Sequence, residues 1–205
     1  SSATPLPPSC PAVTCAPSSS SRCCRATGSA SSSATSTSAV SSSSGSAQAR
    51  ELNSKGIELQ SSGKLREAVD CYRRAIQINP SAAGYHNNLA LALKDLDQFQ
   101  LAESEARLAL KLRPQRADYH FNLGIILQRQ KRLAEAEASF RQAIQLDPAD
   151  TDSHFRLAQI LLASSDGSES TSAEAAEQEI KLALMLKPER SEYCELLGDV
   201  YLKSK

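Results

Sequence analysis

The chain has no net charge. Its 205 residues hold 23 basic and 23 acidic side chains, which removes the electrostatic case for nucleic acid or an anionic membrane as partner. No apolar run approaches the roughly 18 residues needed to cross a bilayer, so no membrane span is expected. Phosphate-binding loops, glycine-rich dinucleotide turns, H-E-x-x-H and the nucleophile elbow are all missing. The chain is therefore not expected to be an enzyme, and no cofactor is expected. No Asn-x-Ser/Thr acceptor with a permitted middle residue occurs, which counts against a glycosylated lumenal or extracellular life. There is no N-terminal Met, as in a processed product or a fragment.

Residues 1–46 lack large apolar side chains apart from Leu6, Val13 and Val40. Such a segment cannot bury enough surface to offset the entropy of ordering it, so a disordered tail is expected. It also lacks acid: residues 1–50 carry only Arg22, Arg25 and Arg50, leaving an excess of three acids in the remainder. A Ser-rich, Arg-bearing, acid-free stretch has the composition of an organelle transit peptide, plastid leaders included. A plain low-complexity tail has the same composition. A secretory signal is not expected, because no apolar core segment is present. Cys10, Cys15, Cys23 and Cys24 fall here without a C-x-x-C pair or a nearby His, a poor fit to zinc. Cys71 and Cys194 stand alone further on and read as small apolar side chains.

What the chain does have is self-similarity. Residues 85–90 lie over residues 119–124, Ala102 over Ala136, Ala109 over Ala143 and Pro114 over Pro148, always 34 residues apart. Gly56, Leu59, Ala68, Ala75 and Pro80 extend the register upstream; His154, Leu157, Ala158 and Leu161 extend it downstream. Ala176, Ala183 and Pro188 then fall six residues late, and residues 193–201 keep the new phase. A fixed period of this size means stacked supersecondary units. From about Ala47 each unit reads as helix, short turn, helix and proline stop, since proline cannot continue a helix. The second unit turns near residues 95–98 and the third near 130–132. Small residues (Gly56, Ala90, Gly124, Ala158) mark close helix approach, and Tyr72, Phe140 and Ile180 fill the gaps. The six extra residues lie in the Ser/acidic stretch 164–170, read as a solvated loop or a phosphoserine site. Thr171 with Glu174 reads as a capping box for the next helix.

The three histidines, His86, His120 and His154, recur in register. Stacked helices lie about 8–10 Å apart, whereas zinc holds ring nitrogens at about 2.1 Å. Three repeat-related rings cannot meet at one ion, so no metal is expected; the rings read as half-buried polar aromatics between helices.

These residues resemble the tetratricopeptide repeat family, with Leu89, Leu123 and Leu157, Gly56, Gly124 and Gly198, both alanine series, and the four prolines carrying the likeness. Its segments are most similar to the repeats of O-linked N-acetylglucosamine transferases and tetratricopeptide O-mannosyltransferases. Ala106, where the family usually has an aromatic, and the fourth-unit insertion depart from the pattern. The resemblance implies an all-α, right-handed superhelix of helix pairs over residues 47–205. Its repeats are expected at about 49–82, 83–116, 117–150 and 151–190, with a capping helix at 191–205.

The implied function is a protein–protein interaction scaffold gripping a protein segment in a concave groove lined by the first helices. Mapped by register, that wall holds Asn53, Ile57, Asn87, Leu91, Phe121, Ile125, Phe155 and Gln159. Asn88 and Asn122 sit beside it, with Ser54 and Arg156 in the flanking repeats; amides there suit the backbone of an extended peptide. Family members that clamp chaperone C-termini present Lys, Asn and Arg to two carboxylates. Here Asn122 and Arg156 fit two of those places, while Asn87, Leu91 and Asp152 occupy the other three. A partner with apolar side chains is therefore expected, and nothing marks an oligomeric state. Two other expectations stand beside the scaffold: the substrate-recognition part of a larger glycosyltransferase, and an intracellular plastid assembly factor.

Overall fold

A computed structural model describes residues 38–164 and 170–203. Among them are nine helices and no strand: α1 Ser38–Ser61, α2 Leu65–Ile78, α3 Ala83–Asp95, α4 Phe99–Leu112, α5 Ala117–Arg129, α6 Leu133–Leu146, α7 Thr151–Ser164, α8 Ser170–Leu186 and α9 Ser191–Lys203. They pack as the pairs α1/α2, α3/α4, α5/α6 and α7/α8, each pair stacked on the next, with α9 against α8.

The turn inside each pair is built the same way. Gly63, Asp97 and Lys131 occupy one register position and take positive φ of 79°, 59° and 62°. The following N–H reaches back to a carbonyl five residues earlier: Lys64 to Leu59 (2.9 Å), Gln98 to Leu93 (2.9 Å) and Arg132 to Leu127 (3.0 Å). Such a left-handed residue ends a helix while satisfying its last carbonyls. Of these three turns only the first uses glycine.

Between pairs, Asn79, Arg113 and Asp147 donate their N–H to Ala75, Ala109 and Ala143 before the proline stop. The histidines then serve the prolines. His86, His120 and His154 place Nε2 at 3.0, 3.0 and 3.1 Å from the carbonyl oxygens of Pro80, Pro114 and Pro148. The periodic histidine thus donates to the exposed end of the preceding repeat. No group of three His, Cys, Asp or Glu able to hold a metal occurs among the described residues.

The core shows why Ala106 departs from the family pattern. A Cβ built on Gly56 would lie 2.5 Å from Tyr72 Cε1, and one on Gly124 would lie 2.7 Å from Phe140 Cε1. The glycines exist so that a ring can lie on the helix backbone. The second repeat has Ala90 opposite Ala106 and the fourth has Ala158 opposite Ile180, all essentially buried. Where the first helix keeps a methyl, the second helix has given up its ring. The Tyr72 hydroxyl donates to Gln60 Oε1 at 3.0 Å; burial, with Cys71 beside it, pushes its pKa up to about 12.

Charge also joins repeats. Arg132 on the α5–α6 turn reaches Glu103 of α4 at 2.6 Å, and Arg107 of α4 reaches Glu135 of α6 at 3.3 Å. Burial raises the Glu103 carboxyl, but hydrogen bonds from Gln130, Arg107 and Arg132 outweigh it and hold its pKa below the ordinary value.

One expectation changes and another lies outside the described residues. The helical part was expected from about Ala47, but α1 begins at Ser38. Ala49 is fully buried and anchors the helix, and the small residues before it prolong the turn already formed. The Cβ position of Gly45 lies 3.6 Å from Ile78 Cγ2, so this extension passes the end of α2. Most of the Ser/acidic insertion, with Gly167 and the Thr171 side chain, lies outside the described residues. The loop, phosphoserine and capping-box readings lie there with it.

Candidate functional site

The first helices α1, α3 and α5 contact one another directly, as do α7 and α9, whereas no second helix meets another to a similar extent. The residues of the expected wall lie on these first helices, and the structure places them unequally.

The asparagines are engaged with each other. Asn88 Nδ2 donates to Asn53 Oδ1 at 2.9 Å, and Asn122 Nδ2 donates to Asn87 Oδ1 at 2.9 Å. Each bond joins neighbouring repeats across a diagonal 35 residues apart. Asn87 is buried, so it is not part of an open wall; its oxygen serves the fold. Ile57 is half exposed, at 50 %, and Leu91 is half-buried.

Further along, the diagonal changes chemistry. The next members are Phe121 and Arg156. Phe121 is half-buried and edge-on to Phe140, with centroids 5.7 Å apart. Phe155 stacks, tilted, on Tyr193 of α9 at 5.1 Å. The Arg156 guanidinium lies 6.0 Å from the Phe155 ring centre and donates to Gln159 Oε1 at 3.1 Å. Ile125 and Gln159 are half-buried beside them. Asp152, at a clamp position, accepts from Arg190 at 2.9 Å.

Beyond Gln159 a groove of about 590 Å³ opens between α5, α7 and α9, lined also by Gln128, Leu162, Ala163, Leu196, Asp199 and Leu202. The sequence reading missed these six. The signal was present: Gln128, Leu162 and Leu202 follow the same register, including the six-residue slip. They were passed over because the wall was mapped from only two positions per helix.

Two histidines carry a second partner. His86 Nδ1 lies 2.7 Å from Glu105 Oε2, and His154 Nδ1 lies 2.6 Å from Glu179 Oε2. At the equivalent place in the third repeat stands Ser139. Around His154, the hydrogen bond to Glu179 outweighs burial and raises the imidazole pKa, helped by the Pro148 carbonyl and the charge of Asp150.

Family models described as TPR repeat and tetratricopeptide repeat match residues 56–97, 83–116 and 117–150. Over residues 56–150 the chain carries tetratricopeptide repeats. Its all-α, right-handed superhelix of helix pairs is the family's fold. None of the curated proteins matches it. Among solved structures, it is similar to PilF of Pseudomonas aeruginosa, at 25 % identity over 78 % of this chain and 70 % of that one, TM-score 0.69. It is also similar to the first TPR of Spaghetti (RPAP3), solved bound to the HSP90 peptide SRMEEVD. That match has 28 % identity over 58 % of this chain and 94 % of that one, TM-score 0.56. A mutant O-GlcNAc transferase of Thermobaculum terrenum matches at 25 % identity over 69 % of this chain, TM-score 0.63. This chain spans only 26 % of that transferase.

Proposed function

We propose that this chain is a protein-interaction adaptor that holds a segment bearing apolar side chains along α5, α7 and α9. The observation that carries the reading is the placement of Phe121, Ile125 and Phe155, half-buried on the inner face and leading into the groove at Leu196 and Leu202. Aromatic anchors in a partly apolar concavity are common binding hot spots. The clamp positions favour an apolar ligand over an acidic C-terminus. Asn122 is bonded to Asn87, Arg156 to Gln159, and Asp152, paired with Arg190, stands where the clamp has a cation.

A peptide ending in Glu-Glu-Val-Asp, with and without its terminal carboxylate, tests the choice by calorimetry. Micromolar, carboxylate-dependent binding overturns the reading. For an apolar partner segment, Phe121→Ala weakens binding by about 2 kcal/mol while circular dichroism stays helical.

A second reading rests on the likeness to the transferase repeats, as a substrate-recognition region of a larger glycosyltransferase. The asparagine pairs count against it, because their amides already bond one another. Placement in an organelle is proposed from the Ser-rich, Arg-bearing tract of residues 1–46 alone.

A further inference from the structure

The second helices carry a repeated ionic pattern. Arg107, Arg141 and Lys181 share one register position, and each pairs with a glutamate one turn before it: Glu103, Glu137 and Glu177. Between the second and third repeats the pattern becomes a closed seam. Glu103 accepts from Arg132 at 2.6 Å and from Gln130 at 2.9 Å, and Arg107 crosses to Glu135 at 3.3 Å. Counting by register, the seam between the first and second repeats has Val69 for Glu103, Leu96 for Gln130, Gln98 for Arg132 and Leu101 for Glu135. Both acids of the network are replaced by apolar residues. The cation at the place of Arg107 is kept, as Arg73, and it makes no ion pair among the described residues.

A groove of about 310 Å³ opens at this seam, lined by Lys64, Leu65, Arg66 and Glu67 at the start of α2 and by Leu96 at the end of α3. Following Leu96 in the chain, Leu101, Leu108 and Leu112 of α4 are 51 %, 43 % and 42 % exposed. Spacings of seven and four residues put them on one stripe, about 16 Å long at the helical rise. We propose that this seam docks an acidic amphipathic helix of another protein, its apolar side chains on the leucines and a carboxylate on Arg73. Charge complementarity carries the choice. Residues 62–78 hold four bases and two acids, and Lys64 and Arg66, like Arg73, have no ion pair among the described residues. Both acids of α4 are engaged elsewhere, Glu103 by Arg132 and Glu105 by His86 at 2.7 Å. Arg107 with Glu135 shows what an arginine at this position takes from its neighbour. The surface lies on the second helices, apart from the wall of Phe121 and Phe155 on the first helices.

The probe is a synthetic helix of about 14 residues with leucines along one side and glutamates flanking them, locked by a lactam because an isolated helix of this length is marginal in water. A counterpart carries lysine for every flanking glutamate. Binding to the full chain is read by fluorescence anisotropy, with amide shifts locating the site. The acidic helix should bind with shifts on α2 and α4, and the basic one at least tenfold more weakly. Leu101→Glu supplies the carboxylate that the third repeat has at this position, so Arg73 pairs within the chain and binding should fall at least tenfold. Arg73→Glu should do the same and turn the preference toward the basic helix. Both side chains are exposed, so circular dichroism should stay that of the wild type. Phe121→Ala should leave binding unchanged, which keeps this outcome separate from that of the groove between α5 and α9. No binding, equal binding of the two helices, shifts elsewhere or indifference to both variants would overturn the inference. So would a free chain whose own residues 1–37 shift on Leu101→Glu, or a dimer in sedimentation that this variant dissolves, since the seam would then hold the chain itself or a second copy.

Discussion

Consider Gly124→Ala. The new methyl would sit 2.7, 2.8 and 3.0 Å from Cε1, Cζ and Cδ1 of Phe140, where carbon atoms prefer about 3.5–4.0 Å. The ring must retreat by more than half an ångström. It is fully buried and packed edge-on against Phe121, so the retreat propagates. Overpacking of this kind costs about 1–3 kcal/mol. Alanine in a helix interior returns about 1 kcal/mol relative to glycine, so the net loss is up to about 2 kcal/mol. Removing the ring separates the two effects. In a Phe140→Ala background the clash is gone, and Gly124→Ala should stabilise by about 1 kcal/mol. The sign reverses, and the coupling between the sites is about 1–3 kcal/mol. Gly198→Ala is the matched control, because it sits at the same register position with open space around it; it should stabilise outright. Urea unfolding of the wild type, the three single variants and the Gly124/Phe140 double variant gives all the terms. Equal effects of Ala at 124 and 198, or a coupling below about 0.5 kcal/mol, would refute the reasoning.

Lys131 holds positive φ with a side chain attached. Lys131→Gly should raise stability by about 1 kcal/mol, seen as a thermal midpoint a few degrees higher, whereas Gly63→Ala at the equivalent turn should lower it. The raised pKa of His154 fixes a pH dependence: its contribution is complete below the unfolded value of 6.5 and is lost as pH rises through the folded value. Urea midpoints should therefore fall on going from pH 6 to pH 9, and Glu179→Gln should flatten that fall; an unchanged slope would show that the pair does not govern it.

The fold was legible because a solenoid writes one set of contacts repeatedly. Gly56 and Gly124 recur where Tyr72 and Phe140 need room, and the alanine series recur where backbones approach. The Ala106 departure was visible but not its meaning, which needs the pairing with Ala90. The start of α1 was not legible. A Ser-rich run has little intrinsic helix preference, and what extends the helix is the packing that begins at Ala49. The carboxylates beside the histidines were within reach of the register: Glu105, Ser139 and Glu179 occupy one position. They were missed because each repeat was read for its shared residues, and this position varies.

The inner face was harder, since its chemistry lies between repeats. A period of 34 aligns Asn53 with Asn87, but the bonds run from Asn53 to Asn88 and from Asn87 to Asn122. The period identifies equivalents; contacts across a stack run diagonally. That diagonal divides the wall. Along α1, α3 and the start of α5 the amides satisfy one another, and a ligand that borrowed one would leave its partner short of a bond, at about 1–3 kcal/mol if buried. From Phe121 onward the diagonal holds a ring and a guanidinium, and neither depends on the other for its hydrogen bonds. On the proposed function, recognition falls to the half of the face where the ladder stops, between α5 and α9.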